Sequence, residues 1–145
     1  MDIISQLQRD EGFSNHIYID TVGKRTIGYG HNLDAKPIPW ITLTTRLTQD
    51  QAMQILVQDI ADTKTALFVR IPWTSQLDDV RQGVLVNMTF NMGILGLLKF
   101  KHALVAFQVN DWVTAAAEMK NSSWYVQVGQ RADRLVTQTL TGIWQ

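Results

Sequence analysis

Apolar positions along the chain change period twice. Ile3, Ile4 and Leu7 fall on one face at helical spacing and Gly12 supplies a stop, so a short helix opens the chain. Over residues 13–34 the pattern is different. Ile17-Tyr18-Ile19 and Thr26-Ile27-Gly28-Tyr29-Gly30 are short β-branched and aromatic runs, separated by residues 21–25 around Gly23. They predict a small antiparallel sheet. Residues 34–39, with Pro37 and Pro39, read as a loop. Thr48 followed three residues later by Gln51 has the form of a capping box. Behind it Ala52, Ile55, Leu56, Ile60 and Leu67 recur at roughly helical spacing until Pro72 ends the run. A helix over 49–69 would be about 30 Å long at 1.5 Å per residue, a strut suited to joining two lobes.

From Asp78 onward the pattern is helical. Val80, Val84, Leu85, Val86, Met88 and Phe90 make a helix apolar nearly all round, so it belongs at the buried centre of its lobe, and Gly93 is its expected end. Residues 104–109, 112–119 behind an Asp111 N-cap, and 130–140 closed by Gly142 are further short helices. The fold class is α+β: a small sheet lobe, a long helix and an all-helical lobe.

The chain has 145 residues, which suits one domain with a core that needs no staples. With 46% hydrophobic and 18% charged residues it reads as an ordinary soluble globular protein. The absence of cysteine excludes disulfides and thiolate metal sites and leaves the redox compartment open. Thirteen basic and thirteen acidic residues cancel, so no concentrated positive surface for nucleic acid is expected. Asp2, Arg9, Asp10 and Glu11 interrupt the N-terminal segment, so a secretion signal is not expected there. No run reaches the ~20 apolar residues of a membrane span. These features predict a protein held in the cytoplasm of the producing cell. His16, His31 and His102 lack metal-ligand spacing. Gly23, Gly28 and Gly30 lack the Lys-Ser/Thr of a phosphate loop. Neither a metal nor a cofactor is expected.

The candidate chemistry is carried by carboxyls. Breaking a glycosidic bond takes one group that gives a proton to the leaving oxygen and a second that stabilises the cationic centre or activates water. Two carboxyls in different environments supply both. Glu11 stands at a predicted helix end beside apolar residues, Asp20 at the end of a predicted strand beside the Gly23 turn, and Thr26 on the next strand. The turn would bring the Thr26 hydroxyl near Asp20, with room for a water between them. Spacing alone does not separate this from two solvated surface charges and a strand-forming Thr.

The whole string is more specific. Glu11-Gly12-Phe13, Tyr18-Ile19-Asp20, Gly23 and Thr26-Ile27-Gly28-Tyr29-Gly30-His31 resemble the active-site signature of the phage-type lysozymes, glycoside hydrolase family 24, and especially those of the T-even phages. Asn87-Met88, Phe90, Met92-Gly93 and Gly96 are similar to that family's central helix and its exit. Ser123-Trp124-Tyr125, Gln127, Arg131-Ala132, Arg134 and Thr141-Gly142 with Trp144 are similar to its C-terminal segment. The matches run the length of the chain in the same order, and are poorest between about 62 and 76. Asn91 stands where the T-even lysozymes carry Gln.

The resemblance implies a two-lobed lysozyme fold with the substrate cleft between the lobes. Residues 13–48 would form the sheet lobe, 49–69 the connecting helix, and 1–12 with 70–145 the helical lobe. It implies a muramidase that cleaves the β-1,4 bond between N-acetylmuramic acid and N-acetylglucosamine of peptidoglycan with inversion. Glu11 would be the general acid, and Asp20 with Thr26 would place the water. Gly30, Asn87, Phe90, Asn91, Phe100, Gln127 and Arg131 would contact substrate. An enzyme of this kind is expected to act as a monomer and to need a membrane-permeabilising holin to reach the wall.

Several of these residues have a plain structural alternative. His31 is either paired with Asp59, as the resemblance implies, or exposed. Arg131 is either the family's arginine that reaches Glu11 or a surface helix residue. Asn87 and Gln127 serve equally as structural hydrogen bonders. Trp112, Trp124 and Trp144 suit core packing better than sugar stacking. Two other functions compete. A lytic transglycosylase on this fold needs an acid but not Asp20, and a non-catalytic wall-binding module needs neither.

Overall fold

The computed structural model describes residues 1–145. Its order is α1 (Ile3–Glu11), β1 (Ser14–Ile19), β2 (Arg25–Gly28), β3 (His31–Asn32), α2 (Gln49–Arg70), a 3-10 turn (Pro72–Gln76), α3 (Asp79–Leu97), α4 (Lys101–Gln108), α5 (Trp112–Lys120), α6 (Ser123–Val128) and α7 (Gln130–Thr141). This is the expected α+β class. No helix is long and apolar enough to cross a membrane.

By its contacts the chain forms two compact units, one of residues 4–62 and one of residues 1–3 with 63–145. The division falls inside α2. Residues 4–12, expected with the helical lobe, group with the sheet. The reason is local: Glu11 packs on the Gly30 backbone, and Phe13 just beyond α1 meets Tyr29 with ring centroids 5.4 Å apart.

In the sheet unit β1, β2 and β3 form one antiparallel meander in that order. Gly28 and Gly30, both at positive φ, flank the tight turn that separates β2 from β3. The capping box opens α2 as the sequence predicts. Gln51 N–H donates to Thr48 Oγ1 at 3.1 Å, and Thr48 N–H donates to Gln51 Oε1 at 2.9 Å. Two of the four orphan donors of the first turn are thereby satisfied.

In the helical unit α3 is the buried axis. Val84 to Met88 are all buried, and Phe107, Met119 and Leu135 from α4, α5 and α7 belong to the same core. Asp78 caps α3 by accepting from Arg81 N–H at 2.9 Å, and Asp111 caps α5 by accepting from Thr114 N–H at 3.1 Å. Gly93 leaves helical geometry at φ 78° and ψ 165°, so the expected stop is a kink after which one more turn runs to Leu97. Gly142, at φ 67°, closes α7 through its N–H to Gln138 O at 2.9 Å.

Trp112 meets Phe107 edge to face and lies under the Arg81 guanidinium, Trp124 is buried, and the Trp144 ring covers Gly83. A Cβ at Gly83 would overlap that ring. Gly83→Ala is expected to cost about 1–3 kcal/mol through overpacking. In a Trp144→Ala background the same change should be neutral, or gain up to ~1 kcal/mol from helix propensity. Denaturant titration of the four proteins checks this, and equal costs in both backgrounds would contradict it.

Candidate active site

The site residues of the sheet unit are placed by glycine turns. α1 stops at Glu11 because Gly12 takes φ 67°, its N–H still reaching Gln8 O at 3.0 Å. The Glu11 carboxyl then lies against Gly30, where a Cβ would stand only 2.6 Å from Oε2. Any side chain at position 30 would push the carboxyl aside.

Asp20 sits at the mouth of the β1–β2 turn. Gly23, at φ 82°, donates its N–H to Asp20 O at 3.1 Å, and Asp20 N–H donates to Lys24 O at 2.9 Å. The side chain closes the same turn: Oδ1 accepts from Val22 N–H at 3.0 Å and from Lys24 N–H at 2.8 Å. Both bonds go to one oxygen, so the carboxylate is fixed in orientation while Oδ2 keeps its lone pairs. Tyr18 pairs with Thr26 and Ile19 with Arg25. Alternation along the strands then puts Tyr18, Asp20 and Thr26 on one face and Ile19 with Arg25 on the other. Thr26 is buried, and its hydroxyl donates to Lys24 O at 3.0 Å. Its proton is therefore committed, and what it offers a neighbour is a lone pair.

Three further groups complete the electrostatics. Burial, reinforced by the charges of Glu11 and then Asp20, pushes the half-buried Tyr18 phenol up, so it remains a neutral donor. On the far face Asp34 accepts from Arg25 N–H at 2.9 Å and from the guanidinium at 2.7 Å, and these bonds hold its carboxyl below the usual range. Buried His31 bonds Asp59 at 2.7 Å through Nδ1 and Lys36 O at 2.8 Å through Nε2. Burial opposes its charge, but the Asp59 bond and charge and the Lys36 carbonyl outweigh burial, and its pKa is raised. The His31–Asp59 pairing implied by the resemblance is present.

The other expected site residues lie in the helical unit. Asn87 is buried and accepts from Arg131 Nε at 2.9 Å. Asn91 accepts from the Trp124 indole at 3.1 Å, and Phe100 meets the Trp124 ring edge-on at 5.8 Å. Phe100, Trp124 and Gln127 line a cavity of about 510 Å³, together with Lys99, Lys101 and Glu118. Phe90 is half-buried on α3 and does not line it. Sequence reading missed Tyr18 as a neighbour of both carboxyls. The available signal was its place two residues before Asp20, the spacing that puts strand residues on one face.

Comparison with known proteins agrees with the sequence resemblance. The family model for phage lysozyme matches residues 8–140. The chain is 31% identical over 162 residues to the pre-baseplate central spike protein Gp5 of Enterobacteria phage T4, covering 98% of this chain and 28% of that protein. It is 29% identical to probable T4-type lysozyme 1 of Dictyostelium discoideum, covering 97% of this chain and 94% of that protein. With probable T4-type lysozyme 2 of the same organism the identity is 28%, over 94% of this chain and 92% of that one. The chain thus spans little more than a quarter of the spike protein and nearly all of the two T4-type lysozymes.

His31→Asn is expected to destabilise the protein more at about pH 5 than at about pH 8. A raised folded pKa gives stabilisation that is full below the unfolded value and lost as pH rises through the folded one. Denaturant unfolding at the two pH values checks this, and equal losses at both would rule out a charged pair.

Proposed function

Because the chain belongs to the phage lysozyme family, and is in that general sense a lysozyme and a glycosidase, we propose that it hydrolyses the β-1,4 bond between N-acetylmuramic acid and N-acetylglucosamine of bacterial peptidoglycan. Glu11 is the general acid, and Asp20 with Thr26 holds the attacking water.

The observation that carries this reading is the arrangement of acceptors on the hairpin face. Asp20 Oδ1 is occupied by two backbone N–H groups, and the Thr26 proton is occupied by Lys24 O. Asp20 Oδ2 and a Thr26 lone pair remain, and both are acceptors. A water between them donates both its protons and turns a lone pair outward. That is the orientation an attacking water needs.

In the proposed step the water oxygen forms a bond to the anomeric carbon as the bond from that carbon to the leaving oxygen breaks. Glu11 gives its proton to the leaving oxygen, and Asp20 Oδ2 takes one from the water. Solvent exchange then restores both carboxyls. A water on the face opposite the leaving group gives inversion. Gly30 serves by admitting the Glu11 carboxyl to its place. Phe100 and Gln127 on the helical unit's cavity, with Asn87, Phe90, Asn91 and Arg131, are assigned to the glycan and its peptide. The working unit is a monomer, and an enzyme made inside the cell depends on a holin to reach its substrate.

Glu11→Gln removes the proton with little change of shape and is expected to lower turnover of purified peptidoglycan by ~100–10,000-fold. Asp20→Asn keeps a carbonyl oxygen for the Val22 and Lys24 N–H groups, so the turn survives while the base is lost. It too should be severely impaired. Near-full activity of Glu11→Gln would refute the acid assignment. An active Asp20→Asn protein would favour a route in which the substrate closes on itself.

A further inference from the structure

Tyr18 and Asn32 both stand opposite Thr26 in the strand register; Asn32 Oδ1 is occupied by the Asp34 and Ala35 N–H groups, while the mechanism above gives Tyr18 no task. It is opposite Thr26 in the strand register, two residues from Asp20 on the same strand, and half-buried. Directly opposed residues have Cβ atoms about 4.5–5.5 Å apart, so the ring leaves the sheet beside the Thr26 hydroxyl and reaches beyond it. A register irregularity lies just before it: β1 takes four steps from Ser14 to Tyr18 while β2 takes two from Gly28 to Thr26. Such bulges bend a strand and re-aim its side chains. The phenol is within electrostatic reach of Glu11 at the end of α1 as well as of Asp20. These are the two groups whose separation decides whether a water fits between substrate and base.

We propose that Tyr18 is a positioning residue of this site: its hydroxyl, carried opposite Thr26 and two residues from Asp20 on the same strand, holds the proton donor and the water-bearing carboxylate at their working separation. The inference rests on the roles assigned to Glu11 and Asp20. A hydroxyl suits this place better than a cation, which would bind one carboxylate outright. It also suits it better than a third carboxyl, which would repel both. The ring fills the space beneath the hydroxyl, and the two parts are separable because Phe keeps one and loses the other.

The test is the steady-state kinetics of Tyr18→Phe on soluble, peptide-bearing glycan strands, together with its melting temperature. Positioning predicts that kcat falls about tenfold while KM stays within about twofold and melting is unchanged. A wild-type kcat would overturn the proposal, because Phe would then have supplied all that Tyr18 does. A fall in kcat accompanied by a matching loss of stability would also overturn it, since the hydroxyl would then be a packing group. Glu11→Gln and Asp20→Asn are assayed alongside. If both are inactive and Tyr18→Phe is unimpaired, this inference alone fails. If either stays active, the mechanism beneath it fails first.

Discussion

The register of the β1–β2 hairpin is the constraint on which the candidate chemistry depends. Asp20 closes the turn twice, once through its backbone and once through Oδ1, and Gly23 supplies the positive φ that so tight a turn requires. With the turn fixed, Tyr18 must face Thr26. Slipping the pairing by one residue would send Tyr18 to the opposite face from Thr26 and put Ile19 there instead. The residue assigned as base is thus also the residue that sets the register. This is why Asp20→Asn, which keeps the acceptor and loses the charge, separates chemistry from folding better than Asp20→Ala.

A second constraint acts on Glu11, the proposed proton donor. Glu11 is the last residue of α1, and its carboxyl occupies the space a side chain at position 30 would need. Gly30 is required there on two grounds, its φ of 71° and that close approach. Directly after it, His31 pairs with β2 through the backbone and ties to Asp59 on α2 through its ring. Glu11, the Gly30 turn and α2 are thus linked in sequence within one unit of the chain.

Much of this was legible in the sequence because local rules govern it. Thr48 and Gln51, Asp111, Gly12 and Gly142 each act within a few residues, and each does in the structure what its type predicts. Gly93 was legible as a break but not as a kink, because the turn that follows it carries little periodicity of its own. α6 is six residues long and escaped notice, as did the 3-10 turn, since neither spans two helical repeats. The Asn87–Arg131 bond joins residues 44 apart and leaves no local trace. The same holds for the indole of Trp124 on Asn91, which uses the residue that departs from the T-even pattern. The grouping of α1 with the sheet follows from the fit of Glu11 on Gly30, a contact no periodicity records. The roles of Glu11, Asp20 and Thr26 came from the resemblance. Their local geometry supplies a reason those residue types suit the task.

The central claim is that Asp20 and Thr26 hold a water that attacks the sugar. Mass spectrometry of the soluble products from purified sacculi tests it most directly. Disaccharide-peptides ending in reducing N-acetylmuramic acid are predicted, with one oxygen from solvent in each product when the reaction is run in heavy-oxygen water. Anhydro-muramyl ends without solvent oxygen would contradict the account, because the substrate's own hydroxyl would then have done the work assigned to the water.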